Sequence, residues 1–149
     1  MSESVKSFFT EEQQRAIVEA IRRAELKTSG EIRVHLDGSC QGDPIRKAIA
    51  VFRWLKMHKT AQRNGVLIYL AVKDSKFAVI GDKGINAHVR NNFWDTVRDS
   101  MRSHFVQDAF VEGLQSGIDT LATELSAYFP YQEDDVDELP NEISFGDGK

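Results

Sequence analysis

The sequence predicts an α/β fold, in which a small mixed sheet of three to four strands packs against about four helices. Three observations carry this prediction: residues 31–36 alternate between apolar and polar, residues 66–72 are apolar on both faces, and several longer segments repeat their apolar residues at helical spacing. A chain of 149 residues with 41% hydrophobic residues suits one domain with one core. We place this domain at residues 1–130 and an acidic tail at residues 131–149.

The strand pattern predicts a topology. Residues 31–36 have one wetter face, whereas residues 66–72 require cover on both faces. A helix separates these two strands, so they should run parallel with a right-handed crossover. Residues 77–80 follow a short turn and should form an antiparallel hairpin with the second strand. Since this third strand looks too apolar for an exposed edge, we expect a fourth strand beside it.

The helices show local start signals. Thr10, with Gln13 three residues later, is typical of a capping box, and Pro44 suits the first turn of the second helix. Asp108 is a candidate N-cap for the last helix, which should stop before Pro130. One long helix before it is predicted by apolar residues at every fourth position, namely Ile85, Val89, Phe93, Val97, Met101 and Phe105.

The predicted topology gathers polar side chains at one edge of the sheet. The first strand begins at Glu31, the second begins after Asn64, and the antiparallel third strand ends at Asp82. Neighbouring strands lie ~4.8 Å apart, so these residues should lie close together, with Asn86 joining from the next helix. Carboxylate and amide oxygens suit Ca²⁺ or Mg²⁺. We call this the cation edge.

Two alternatives to this site stay open. The opposite edge carries Asp37, Asp43 and Asp74, and ligands of open α/β sheets usually bind at the carboxyl ends of parallel strands. Alternatively, Asp82 only caps the next helix and Glu31 is a surface residue. If the cation site is correct, we expect Asp82 at a solvent-facing turn.

Residues 44–73 form a basic segment without any acidic residue. Its cations are Arg46, Lys47, Arg53, Lys56, Lys59, Arg63 and Lys73. A nucleic-acid face with Trp54 as a stacking platform is one interpretation. The solvated face of an amphipathic helix is the preferred one, because the whole chain carries a net charge of -4.

Nothing in the sequence indicates secretion or a membrane span. There is one cysteine, Cys40, and no basic segment followed by a long apolar run at the N-terminus. We therefore expect a cytoplasmic monomer, with no specific nucleic-acid ligand and with a protein partner that the sequence does not identify.

The acidic tail holds seven acidic residues against Lys149 alone. We expect the start of the tail to be mobile and drawn towards the basic segment by screened attraction. Leu139, Ile143 and Phe145 favour docking of its end as an edge strand.

Several segments resemble the TPM phosphatase domain family. They are FFTEEQQRAIVEAI, TSGEIRVHL, NGVLIYLAVKDSKFAVIGDKGI and two helices ending at YFP, which together span residues 8–130. The resemblance implies a three-layer α/β/α sandwich and an association with divalent cations. The family turn usually reads Gly, aromatic, Gly, aliphatic, Glu, whereas Asn86 stands here at the acidic position and Asp82 supplies the negative charge from another position.

Two functional hypotheses follow from the resemblance. The first is a non-catalytic, accessory or interaction domain that binds Ca²⁺ or Mg²⁺ through Glu31, Asn64, Asp82 and Asn86. The second is a metal-dependent phosphatase of low activity, in which the cation polarises the phosphoryl oxygen and generates hydroxide. No phosphate-binding loop, nucleophile elbow or paired-histidine zinc motif is present, so catalytic residues stay unassigned.

We predict that nucleic-acid binding is weak and nonspecific. The basic segment is one patch on a chain of net negative charge, so binding of a short oligonucleotide should collapse between about 50 and 200 mM salt. Fluorescence anisotropy at several salt concentrations measures this. Tight binding that persists at high salt would contradict the preferred interpretation.

Overall fold

The computed structural model describes residues 5–133 and 142–146. The elements in this part of the chain are α1 (Val5–Phe8), α2 (Glu11–Glu25), β1 (Glu31–Asp37), α3 (Pro44–Trp54), a 3₁₀ helix (Met57–Lys59), β2 (Gly65–Ala71), β3 (Lys76–Gly81), α4 (Lys83–Asn86), α5 (Phe93–Phe105), α6 (Phe110–Leu125) and β4 (Ser144–Phe145).

The sheet has the strand order β3-β2-β1-β4. β1 runs parallel to β2, and β2 and β3 form the antiparallel hairpin, as predicted. All seven residues of β2 are buried, because helices cover both faces of the sheet. On one face, residues such as Val34 and Ile68 pack with α2, α5 and α6, and on the other face Leu67 and Tyr69 pack with α3 and the 3₁₀ helix. The fold is therefore a small α/β/α sandwich.

The fourth strand lies at the other side of the sheet from the place predicted for it. β4 pairs parallel with His35 and Leu36 of β1, and β3 is left as an edge strand. The apolar residues of β3 are covered by helices, since α3 packs on one face and Phe105 of α5 meets Phe77 with ring centroids 5.0 Å apart. Because helices cover both faces of β3, its apolar side chains are protected although the outer edge of the strand has no neighbouring strand.

β4 belongs to the acidic tail, whose end was expected to dock as an edge strand. Ser144 and Phe145 form it, and the amide of Gly146 donates to the carbonyl of Leu36 at 2.9 Å. Leu139 and the predicted mobile start of the tail lie mostly at residues 134–141, outside the described residues.

The local helix-start signals hold at α2 and α3. The hydroxyl of Thr10 accepts from the amide of Gln13 at 3.0 Å, and the Gln13 side chain accepts from the amide of Thr10 at 2.9 Å. Asp43 caps α3 by accepting from the amide of Ile45, with Pro44 at the first position. Asp108, by contrast, has a φ of 59° and does not cap α6, whose N-cap is Ala109.

The long helix predicted from the four-residue repeat is two helices, α4 and α5. The break at residues 87–92 is bridged by the side chain of Asn86, which donates to the carbonyl of Gly81 and accepts from the indole N–H of Trp94, each at 2.9 Å. Val89 and Phe93 still reach the core across the break. An apolar residue at every fourth position therefore did not require one uninterrupted helix.

The two glycines of the turn after β3 allow close packing. A Cβ at Gly81 would lie 2.6 Å from the Trp94 ring, and a Cβ at Gly84 would lie 2.2 Å from the carbonyl oxygen of Gln62. The amide of Gly84 also donates to the carbonyl of Arg63 at 3.0 Å. These contacts hold the turn against the segment before β2.

We predict that Gly84→Ala destabilises the protein by about 1–3 kcal/mol, because the added methyl would meet rigid backbone oxygen atoms. Urea unfolding followed by circular dichroism measures the loss. Gly38→Ala is the matched control, since no atom lies within 4 Å of a Cβ built there. Equal stability of the two variants would contradict the packing role of Gly84.

Candidate functional site

The ends of the three strands meet at one edge of the sheet, as the topology predicted. Glu31 pairs with Gly65, and the amide of Asp82 donates to the carbonyl of Gly65 at 2.9 Å, so Glu31, Gly65 and Asp82 form one row across three strands. The carbonyl of Asn64 accepts from the amide of Glu31 at 3.1 Å. Glu31 is 7% exposed, Asn64 3% and Asp82 6%. The sheet thus brings three buried oxygen-bearing side chains to one edge.

Asp82 is buried and ion-paired, so its expected place at a solvent-facing turn was wrong. The guanidinium of Arg63 donates to both carboxylate oxygens, at 2.7 and 2.8 Å. The same carboxylate accepts from the amide of Lys83 at 2.8 Å, so Asp82 does cap α4. The hydrogen bond to Asp82 raises the pKa of Arg63, and burial opposes it less strongly. The alternative in which Asp82 only caps the next helix also required Glu31 to be a surface residue. Glu31 is buried, so that part of the alternative was wrong.

Asn64 joins the start of β2 to the segment before β1. Its side-chain nitrogen donates to the carbonyl of Ser29 at 3.1 Å. Its Oδ1 is buried and accepts no hydrogen bond from the part of the chain that the structure describes, and the same holds for the hydroxyl of Ser29. An acceptor oxygen buried in this way is a candidate ligand atom for a hard cation.

The four predicted ligands divide between two cavities. Glu31 lines a cleft of about 180 Å³, whose lining also includes Ser29, Glu25 and Glu133. Asp82 and Asn86 line a larger groove. Asn64 lies between them in sequence and in the sheet. Within residues 5–133 and 142–146, no group of three or more histidine, cysteine, aspartate or glutamate side chains is placed to hold a metal. The predicted site has only two carboxylates, and its other two ligands are amides.

The larger cavity, which we call the arginine groove, measures about 640 Å³. It runs between α3, the end of β3 and α5. Its lining consists of Ile49, Phe52, Arg53, His58, Arg63, Val79, Ile80, Gly81, Asp82, Asn86, Trp94 and Arg98. The basic segment indicated Arg53 and Arg63, but the sequence carried no signal that Trp94 and Arg98, from α5, would face them.

The opposite edge uses its acids for structure. Asp43 caps α3, and Asp74 accepts from the amide of Cys40 at 2.7 Å. Asp37 is buried and accepts from the hydroxyl of Tyr69 at 2.7 Å. Each carboxylate thus already has a structural hydrogen bond.

Asp37 belongs to a buried polar network that the sequence did not indicate. His35 lies 3.2 Å from Asp37 through Nε2 and 2.8 Å from the Ser144 hydroxyl through Nδ1, which ties β4 to β1. Burial would raise the pKa of Asp37, but the hydrogen bonds from His35 and Tyr69 and nearby positive charge outweigh it and lower that pKa. Burial and then the bond to Asp37 raise the pKa of Tyr69, which keeps the phenol as a donor.

Across the described ranges, no helix is both long and apolar enough to cross a membrane.

Comparison with known proteins identifies related folds. A family model described as the TPM domain matches residues 4–124. The NMR structure of BA42 from the psychrophilic bacterium Bizionia argentinensis is 50% identical, with a TM-score of 0.90, and the match covers 98% of this chain and 100% of that one. No curated protein sequence is significantly similar.

Two more distant structures share the fold. The N-terminal domain of cg2496 from Corynebacterium glutamicum is 13% identical over 81% of this chain and 76% of that chain, with a TM-score of 0.65. The N-terminal domain of a protein from P. gingivalis is 17% identical over 84% of this chain and 82% of that chain, with a TM-score of 0.66.

We predict that Asp37→Asn lowers the free energy of unfolding by about 1.5–3 kcal/mol at neutral pH, because a buried charged acceptor is lost. Since the folded pKa of Asp37 is lowered, its contribution is complete above the unfolded value of about 3.9 and is lost as the pH falls through the folded pKa. Urea unfolding at several pH values should therefore show the difference from the native sequence shrinking below about pH 4.

Asp43→Asn is the matched control for this measurement. Asp43 is exposed, and asparagine caps a helix about as well as aspartate, so little change is expected at any pH. A loss for Asp37→Asn that stays constant down to pH 2 would contradict the role of its charge.

Proposed function

The chain belongs to the TPM domain family, and we propose that it acts as a non-catalytic accessory domain that binds a divalent cation, Ca²⁺ or Mg²⁺, at the cation edge. One observation carries the proposal: Glu31, Asn64 and Asp82 are each buried at the edge where β1 and β2 begin and β3 ends. Asn86, the last residue of α4, assists.

The sheet geometry supports a shared cation. Glu31 and Asp82 lie in one row with Gly65 between them, so their Cα atoms are about 10 Å apart and their side chains leave the same face of the sheet. Gly65 has no side chain to separate them. Two oxygens on opposite sides of a Ca²⁺ ion lie about 5 Å apart, which leaves a gap that a glutamate and an aspartate can bridge from this spacing.

The ion pair of Asp82 explains how the edge is stable without a metal. Burying a carboxylate is costly unless a positive charge accompanies it, and Arg63 supplies that charge through two hydrogen bonds. The Arg63 side chain is partly exposed, so its guanidinium can move into solvent when a cation takes over the charge of the buried Asp82 carboxylate. We infer that a cation binds Asp82 by replacing Arg63.

A metal-dependent phosphatase is the second candidate. It is favoured by the position of Asp82 at the border of a groove with three arginines, which suit a phosphoryl group. The non-catalytic candidate ranks first because the groove lining among the described residues includes no serine, threonine or cysteine that could act as a nucleophile.

The cation proposal predicts opposite effects of two substitutions. In titrations with Ca²⁺ or Mg²⁺ followed by amide NMR shifts, Asp82→Asn should abolish most of the binding. Arg63→Ala should raise the affinity about three- to tenfold, because it removes the competing guanidinium; a tenfold change corresponds to about 1.4 kcal/mol. Thermal stability should rise with the cation, by about 2.7 kcal/mol at 100 times its dissociation constant.

Three results would decide against this assignment. Asp43→Asn, on the opposite edge, is the control and should leave binding unchanged. Shifts confined to Asp37, Asp43 and Asp74 would move the site to that edge, and no saturable shift anywhere would end the cation proposal. Hydrolysis of p-nitrophenyl phosphate that depends on the cation and is lost in Asp82→Asn would establish the second candidate instead.

A further inference from the structure

The arginine groove combines an apolar floor with a cationic wall. Phe52 of α3 and Val79 and Ile80 of β3 line the apolar part, and Ile49 extends it towards solvent. Three arginines, Arg53, Arg63 and Arg98, line the groove against one carboxylate, Asp82. A cavity of about 640 Å³ with this mixture is of the size and composition that small organic ligands use.

The three arginines are not equally engaged. Arg63 is paired with Asp82, and Arg98 is paired with Asp95 one helical turn before it. The guanidinium of Arg53 has neither a hydrogen bond nor an ion pair with any residue in the described ranges. The groove therefore keeps an excess of positive charge, and Arg53 is the donor that a ligand can engage without breaking an existing pair.

His58 adds a second group without a partner. Its Nδ1 is buried, and none of the described residues forms a hydrogen bond with it. The histidine follows α3 in the 3₁₀ helix and lines the groove beside the arginines. A buried polar nitrogen in this position lacks the hydrogen bond that such atoms normally make, and a bound polar ligand would supply it.

Trp94 provides a rigid wall for the groove. Its indole N–H donates to Asn86, the ring fits against Gly81, and its centroid lies 4.7 Å from that of Phe93. These contacts fix the ring before any ligand arrives, so a planar group can pack on it without ordering a mobile side chain.

We propose that the arginine groove binds a small amphipathic organic anion, made of a planar ring and one terminal oxyanion, either a carboxylate or a phosphate-type group. The ring packs between Trp94 and the apolar floor, and the oxyanion accepts from Arg53, because a guanidinium fork matches both kinds of oxyanion. The binding is reversible, breaks no bond and requires no cation, so it does not depend on the function proposed above.

Four probes test this pairing of ring and charge in amide NMR titrations of the full chain. 1-Naphthoate and 1-naphthylphosphonate carry both features, 1-naphthalenemethanol carries the ring alone, and inorganic phosphate carries the charge alone. We expect saturable shifts of the Trp94 indole N–H and of the Ile80 and Gly81 amides with at least one naphthyl anion. The neutral alcohol and inorganic phosphate should bind at least about tenfold more weakly, which corresponds to about 1.4 kcal/mol.

Substitution of the cationic wall completes the test. Arg53→Gln should weaken the naphthyl anions about tenfold or more, whereas Arg46→Gln, an exposed arginine of the same helix outside the groove, should leave them unchanged. The indole of Trp54, which is 70% exposed and lies outside the groove, is the internal reference and should not shift.

The relative affinity of the two anions identifies the oxyanion, since preference for naphthoate indicates a carboxylate ligand and preference for the phosphonate a phosphate-type ligand. The proposal is overturned if neither anion gives saturable shifts at the groove, if the neutral alcohol binds as tightly, or if Arg46→Gln weakens binding as much as Arg53→Gln. A failed cation titration would leave these outcomes unaffected, because no probe requires a metal.

Discussion

The complete burial of β2 is the constraint on which the architecture depends. A strand without any solvent-facing residue requires a layer of helices on each face, and α2, α5 and α6 supply one layer while α3 and the 3₁₀ helix supply the other. The same requirement fixes the neighbours of β2, because its backbone must find partners on both sides. The parallel β1 and the antiparallel β3 satisfy it, and this pairing places two strand beginnings and one strand end at a common edge.

The elements that could be predicted from the sequence are those defined by short-range patterns. The Thr10 capping box, the Asp43–Pro44 helix start and the β2–β3 hairpin each depend on residues close together in the chain. The meeting of Glu31, Asn64 and Asp82 at one edge could also be predicted, because the order and direction of strands determine which residues share an edge. The position of the fourth strand could not, since an apolar β3 is equally satisfied by helices above and below it.

The partners of Asp82 and the lining of the arginine groove could not be predicted, because they depend on residues far apart in the sequence. Asp82 and Arg63 are 19 residues apart, and their pairing depends on the φ of 50° at Arg63 and on the close contact of Gly84 with the preceding segment. Nor does any short motif bring Arg98 of α5 to the end of α3. Arg63 both pairs with Asp82 at the end of β3 and lines the arginine groove.

The small strand β4 has a consequence for the order in which the chain assembles. β1, β2 and β3 lie within residues 31–81, whereas the strand that pairs with His35 and Leu36 comes only at Ser144 and Phe145. During synthesis, β1, β2 and β3 leave the ribosome before these residues do. For that interval β1 is not paired with β4, and an unpaired strand edge is a template for association with other chains. The pairing of Ser144 and Phe145 with β1, together with the contact between the Ser144 hydroxyl and His35, therefore closes this strand edge after the other three strands have been made.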